Sequence, residues 1–130
     1  MPVATGSYLD FEDIQIPNGF VLDRGKSYLY QTESIKTGVL SYKTSKPILE
    51  ILGFFQENMP RDNWVLVSFF KYRKNIMLYN KPNKNCLIIV ESLEDDSSQA
   101  IVEVWISPQG LDKEGSSLLK KVINKGGGDQ

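Results

Sequence analysis

Residues 45–64 read SKPILEILGFFQENMPRDNW, and this stretch decides the fold. Within it Ile48, Ile51, Leu52, Phe55 and Met59 stand at i, i+3, i+4, i+7 and i+11, one apolar stripe of an α-helix. Pro47 suits the first turn, where its missing N–H would be unpaired anyway and its fixed φ is already helical. Ser45 stands where a side-chain oxygen can cap a free amide. Met59-Pro60 stops the helix, because proline disfavours helical geometry in the residue before it. Asn63 is the residue best suited, after glycine, to a left-handed backbone, and Trp64 opens a run of strand-formers. A helix with one apolar face, followed at once by strands, must bury that face on a sheet.

Downstream, 64–71, 75–80, 86–91 and 99–107 read as strands, with alternation at Ile76/Leu78, Leu87/Ile89 and Ile101/Glu103. Their connections, 72–74, 81–85 and 92–98, are too short to cross a sheet, so the strands pair as an antiparallel meander. Upstream, Pro17-Asn18-Gly19 and Asp23-Arg24-Gly25-Lys26 are turn signals around a short extended piece, Phe20-Val21-Leu22. A strand from Ser27 and another over Ile35–Lys43 form a hairpin turning at Glu33-Ser34, with Gly38 marking a bulge or a close backbone approach. The expected fold is α+β: an antiparallel sheet in the order β-β-α-β-β-β-β with one main helix packed on one face. It occupies residues 14–108, after a polar lead-in over 1–13. A C-terminal segment, 109–130, carries a short helix at Ser116–Lys125, with Leu118, Leu119, Val122 and Ile123 on one side.

A chain of 130 residues suits a single domain with one core. Fifteen Lys and Arg against sixteen Asp and Glu leave a net charge of −1, which supplies no global field for nucleic acid or an anionic membrane. The absence of histidine removes the commonest general base near neutrality and every Ser-His or Cys-His nucleophile pair. Cys86, the single cysteine, reads as a small buried apolar side chain, since no basic partner is identifiable for it. Phosphate loops and dinucleotide fingerprints are absent from the sequence. The acidic run Glu91 to Asp96 lacks the spacing of a calcium loop. The meander places Lys71, Arg73 and Lys74 at the same end of the sheet as Glu94, Asp95 and Asp96, and Lys81 and Lys84 at the other. A neighbouring positive and negative cluster cancel, which argues against nucleic acid there. The expectation is therefore a non-enzymatic protein without cofactor or metal.

The aromatics are too many for one side of one core. Phe54 is turned about a hundred degrees from Phe55 on the helix, and Phe69 and Phe70 point to opposite faces of a strand. This surplus apolar surface is either covered by the N-terminal strands or the tail helix, or it is a partner or ligand surface, for which Phe54, Phe69, Phe70 and Trp105 are the candidates.

Ile16-Pro17-Asn18-Gly19-Phe20, an extended segment, a helix closing in Phe55-x-x-x-Met59-Pro60-x-x-x-Trp64 and a strand meander resemble small domains of bacterial exported lipoproteins and envelope proteins. The likeness covers about residues 14–107, with Asn63 where that pattern has glycine and no lipid-attachment cysteine near the start. It implies an α+β fold and an envelope location but brings no activity. The functional expectation is an envelope-associated domain acting through protein contact, self-association or as a structural module. The alternative is a small module that binds an apolar ligand or lipid. The expected location is periplasmic or envelope-associated, with membrane attachment only through an upstream anchor; the alternative is cytoplasmic.

Overall fold

The computed structural model describes residues 6–93 and 98–108. Nine strands and one α-helix are present among them: β1 (Gly6–Tyr8), β2 (Gln15–Pro17), β3 (Val21–Leu22), β4 (Tyr28–Gln31), β5 (Lys36–Thr44), α1 (Ile48–Asn58), β6 (Val65–Lys71), β7 (Asn75–Lys81), β8 (Lys84–Ser92) and β9 (Ala100–Pro108). The architecture is α+β, mostly antiparallel sheet with one helix. The main sheet has seven strands in the order β3-β5-β9-β8-β7-β6, with β4 pairing the same side of β5 as β3. Every pairing is antiparallel. β6 to β9 form the expected up-and-down meander. The non-local step is β5 docking on β9, Gly38 opposite Ile106 through Thr44 opposite Ala100, which leaves β6 at the free margin. The expected helix at Ser116–Lys125 lies outside the described residues.

α1 lies over β8 and against β2. Ile51, Leu52, Phe55 and Met59 of its stripe are buried, and Ile48 is half-buried at the margin. They meet Met77, Ile88, Val90, Val102 and Val104, all completely buried on the inner face of the sheet. After α1, Met59 accepts the amide N–H groups of Asp62 and Trp64, and Asn63 turns the chain with φ 72°. Trp64 is buried, and its indole N–H donates to the Asp13 carbonyl at 2.8 Å. The tryptophan thus ties the start of β6 to the N-terminal segment.

Three expectations change in detail. Residues 6–13, expected as a solvated lead-in, supply β1 and the buried Phe11, and Asp13 accepts from Lys81 and Lys84, each at 2.7 Å. The connection expected over 81–85 shrinks to the pair Pro82-Asn83, since Lys81 already faces Lys84 across the hairpin. At the β4–β5 turn, Thr32 organises the loop: its hydroxyl accepts from the Ser34 and Ile35 amides, and its own N–H donates to the Ile35 carbonyl. Gly38 is where close approach was expected. A Cβ there would stand 2.0 Å from the Tyr28 carbonyl oxygen, and φ is +148°.

Candidate interaction surface

Alternation along each strand gives the sheet two faces of different fate. The inner face is sealed by α1 and the β1–β2 ribbon. The outer face carries, in one row across the register, Val39, Trp105, Leu87 and Leu78, and in the next Glu103, Ile89, Ile76 and Phe70. Six of these eight are apolar aliphatic or phenylalanine side chains, and a seventh is tryptophan. All except Phe70 are half-buried. Tyr28, opposite Val39 on β4, extends the first row and is exposed.

β6 adds a second apolar feature. One side of it pairs with β7, and its other side has no strand partner among the described residues. Val65 is 61%, Leu66 41%, Val67 51% and Phe70 60% exposed. A register shift between Leu66 and Ser68 leaves Val67 as a bulge, after which Ser68–Lys71 run in regular register with β7. The sequence produces this strand because VLVSFFK is built of β-branched and aromatic residues that fit a pleated surface. Bulges and lysines are the usual means of blunting an exposed margin. Here Val67 and Lys71 blunt only part of it. The β6–β7 loop closes with the Tyr72 amide donating to the Lys74 carbonyl, and Tyr72 is 87% exposed with the Arg73 guanidinium 5.7 Å from its ring centre.

The four aromatics expected at the surface are not brought together. Phe54 is buried: it meets the β1–β2 ribbon, its ring tip 2.6 Å from where a Cβ on Gly6 would stand, and packs edge-on against Phe55. The short strands that cover it were the part the sequence left unread. Phe69 points inward from β6 and packs partly buried against the core, with the Lys71 ammonium 5.7 Å from its ring centre. Phe70 and Trp105 share the outer face, on β6 and β9, with β7 and β8 between them. The Trp105 indole N–H donates to the Glu103 carboxylate at 3.1 Å. Sequence reasoning missed Val65, Leu66 and Val67. Their signal was the apolar run without alternation after Trp64, which fits a strand that is not half-covered along its length.

Titratable groups with displaced pKa values move away from neutrality. Burial pushes the Tyr79 phenol up to about 12, and it raises the Tyr42 phenol and the Cys86 thiol further still. At Asp13 burial alone would raise the carboxyl, but the hydrogen bonds and charges of Lys81 and Lys84 outweigh it and hold it below its usual value. No group of three or more metal-ligating side chains converges among the described residues. The space between α1 and the sheet is filled by fully buried side chains such as Phe55, Met77 and Ile88. A shallow cavity of about 310 Å³ lies instead at the start of α1, lined by residues such as Ser45, Lys46, Ser92 and Gln99. No helix among the described residues is long and apolar enough to cross a membrane. Comparison of the chain with protein families, with curated proteins and with solved structures finds no match.

Proposed function

We propose that this protein is a non-enzymatic interaction module that works by protein–protein contact, accepting an extended segment of a partner along β6. The observation that carries this reading is the margin of β6, which pairs with no further strand among the described residues, with Val65, Leu66, Val67 and Phe70 standing in solvent. A strand laid there gains main-chain hydrogen bonds to the free side of β6, while alternate side chains read the apolar positions. The reading is preferred over a small apolar-ligand or lipid-binding module because side chains fill the layer between α1 and the sheet, and because the cavity at the start of α1 lies outside that layer and is half open to solvent. The location proposed is the bacterial cell envelope, supported by the resemblance of the Phe55 to Trp64 segment to envelope domains.

The test is site-specific photocrosslinking in the cells that make the protein. A benzophenone side chain is placed at Val67 or Phe70 on β6, and at the exposed Leu49 of α1 as the control. The reading expects a discrete product from the β6 positions that is absent from Leu49, with its mass telling a partner from a second copy. Equal labelling at all three sites, or none at β6, overturns it. Fractionation of the same cells tests the location, an envelope fraction supporting it and a cytosolic one opposing it.

A further inference from the structure

We propose that the strand laid along β6 comes from a second copy of this chain, the two β6 margins pairing antiparallel about a two-fold axis normal to the sheet. This rests on the reading of β6 given above and names its partner.

Side-chain parity sets the arrangement. Over the regular stretch of β6, Ser68 and Phe70 stand opposite Leu78 and Ile76 on the outer face, and Phe69 and Lys71 stand opposite Met77 and Asn75 on the inner one. Directly opposed residues of an antiparallel pair share a face, so the two-fold passes through a residue and not between neighbours. Passing it through Phe69 sets Ser68 opposite the copy's Phe70, a large ring over a small side chain, and Phe69 opposite its own copy. Lys71 then stands opposite the bulged Val67. The rotation keeps α1 of both copies on one side, so inner face continues into inner face. On the outer face the apolar row of Ile89, Ile76 and Phe70 runs on into its copy. An isologous contact of this kind occupies both margins at once and closes.

Charge distinguishes the copy from an unrelated apolar segment. At the C-terminal end of β6 the Lys71 ammonium lies 5.7 Å from the Phe69 ring centre and the Arg73 guanidinium 5.7 Å from that of Tyr72. Neither has a carboxylate within ion-pair distance among the described residues, whereas Lys74 has Glu91 at 3.8 Å. The N-terminal end carries Asp62, just before the Asn63 turn. Its carboxylate accepts the Tyr8 hydroxyl, 3.1 Å from each oxygen, a neutral donor that leaves the charge uncompensated. Arg61 beside it is already held by Glu57 at 3.1 Å. One end of the strand thus presents cations and the other an anion. Antiparallel pairing sets Lys71 and Arg73 beside the end of the copy's β6 that carries Asp62, and does so twice in the dimer. A parallel strand would bring like ends together, and an uncharged segment would leave both cations without a carboxylate. Opposed charges of this kind fix partner and register, while main-chain bonds and the contacts of Val65, Val67 and Phe70 supply affinity.

The experiment is sedimentation velocity on the purified full chain from about 5 to 500 µM, the range in which a small interface forms. Monomer is expected to pass into dimer and no larger species, with the dimer weakened by salt. Lys71→Glu with Arg73→Glu sets carboxylates against Asp62 and weakens the dimer about tenfold or more. Asp62→Lys sets cations against cations and does the same. Mixing these two variants restores pairing as a heterodimer, because each presents the charge the other lacks; a loss of fold gives no such rescue. Circular dichroism melts certify that each variant is folded, and benzophenone at Phe70 of the otherwise unaltered chain gives a covalent dimer. A chain that stays monomeric at the highest concentration overturns the proposal, as do charge variants that dimerise undiminished or fail to pair when mixed. A monomeric chain whose β6 still captures a different protein in cells removes the second copy alone, whereas no β6 product in cells removes the reading beneath it.

Discussion

Two phenylalanines fifteen residues apart allow a direct test of which side of the sheet is the core. Phe55 on α1 is fully buried between helix and sheet, whereas Phe70 on β6 is 60% exposed on the opposite face. Truncating a fully buried phenylalanine to alanine costs roughly 3–5 kcal/mol, the lost transfer energy plus the cavity left behind. Full burial of such a side chain is worth about 1.5–3 kcal/mol, so Phe70, burying under half of itself, loses about 1 kcal/mol or less. Domains of this size are stable by about 5–15 kcal/mol. Phe55→Ala therefore removes a large part of the total, and Phe70→Ala little of it. Urea titrations followed by far-ultraviolet circular dichroism measure both, through a shift in midpoint at constant slope. In a thermal scan the Phe55 variant is expected to melt roughly 10–20 °C lower. A Phe55→Ala cost within about 1 kcal/mol of the Phe70→Ala cost would refute the assignment of the faces.

Asp13→Asn is expected to cost about 1–3 kcal/mol at pH 7, because two charged hydrogen bonds from Lys81 and Lys84 are lost at a site only 14% exposed. The Asp13 pKa is lowered on folding, so its contribution is complete above the unfolded value near 3.8 and is lost as pH falls through the folded value. The gap between wild type and Asp13→Asn should accordingly narrow in urea titrations taken below about pH 4, and a gap that widens there contradicts the ion cluster. Gly38→Ala places a Cβ 2.0 Å from the Tyr28 carbonyl at a positive φ. Strain of that kind costs about 1–3 kcal/mol before the β4 strand moves; an unchanged melting temperature would show that β4 does not press on Gly38. Cys86 is completely buried with its thiol pKa raised, so Ellman's reagent should label it only as fast as the protein opens. Immediate labelling of folded protein would place Cys86 at the surface.

The parts of this fold that were legible in the sequence are those governed by local pattern. The stripe from Ile48 to Met59 has a helical period and a proline at each end. The meander follows from connections too short to do anything else. Asn63 and Gly38 were legible because few residues tolerate their backbone geometry. What could not be read is non-local. β1 and β2 have three residues each and pair across a loop of mixed polarity, so neither carries a usable period. Without them Phe54 looked like a surplus aromatic, when it is the residue they cover. Alternation separates Phe69 from Phe70 but does not say which strand lies at the margin. That follows from β5 choosing β9 over β6 across some sixty residues, which no local pattern encodes. The surface was thus half legible: Phe70 and Trp105 were identified, but Val65, Leu66 and Val67 acquire meaning only once β6 is known to be terminal.

The margin of β6 is also the feature that residue-resolved amide hydrogen exchange reads most directly. In dilute full-length protein the account predicts alternation along Ser68–Lys71: amides directed at β7 exchange slowly and those directed away exchange at near-unstructured rates. Slow exchange at every amide of that stretch would mean the margin is already paired, and would contradict the proposal that it stands open for a partner strand.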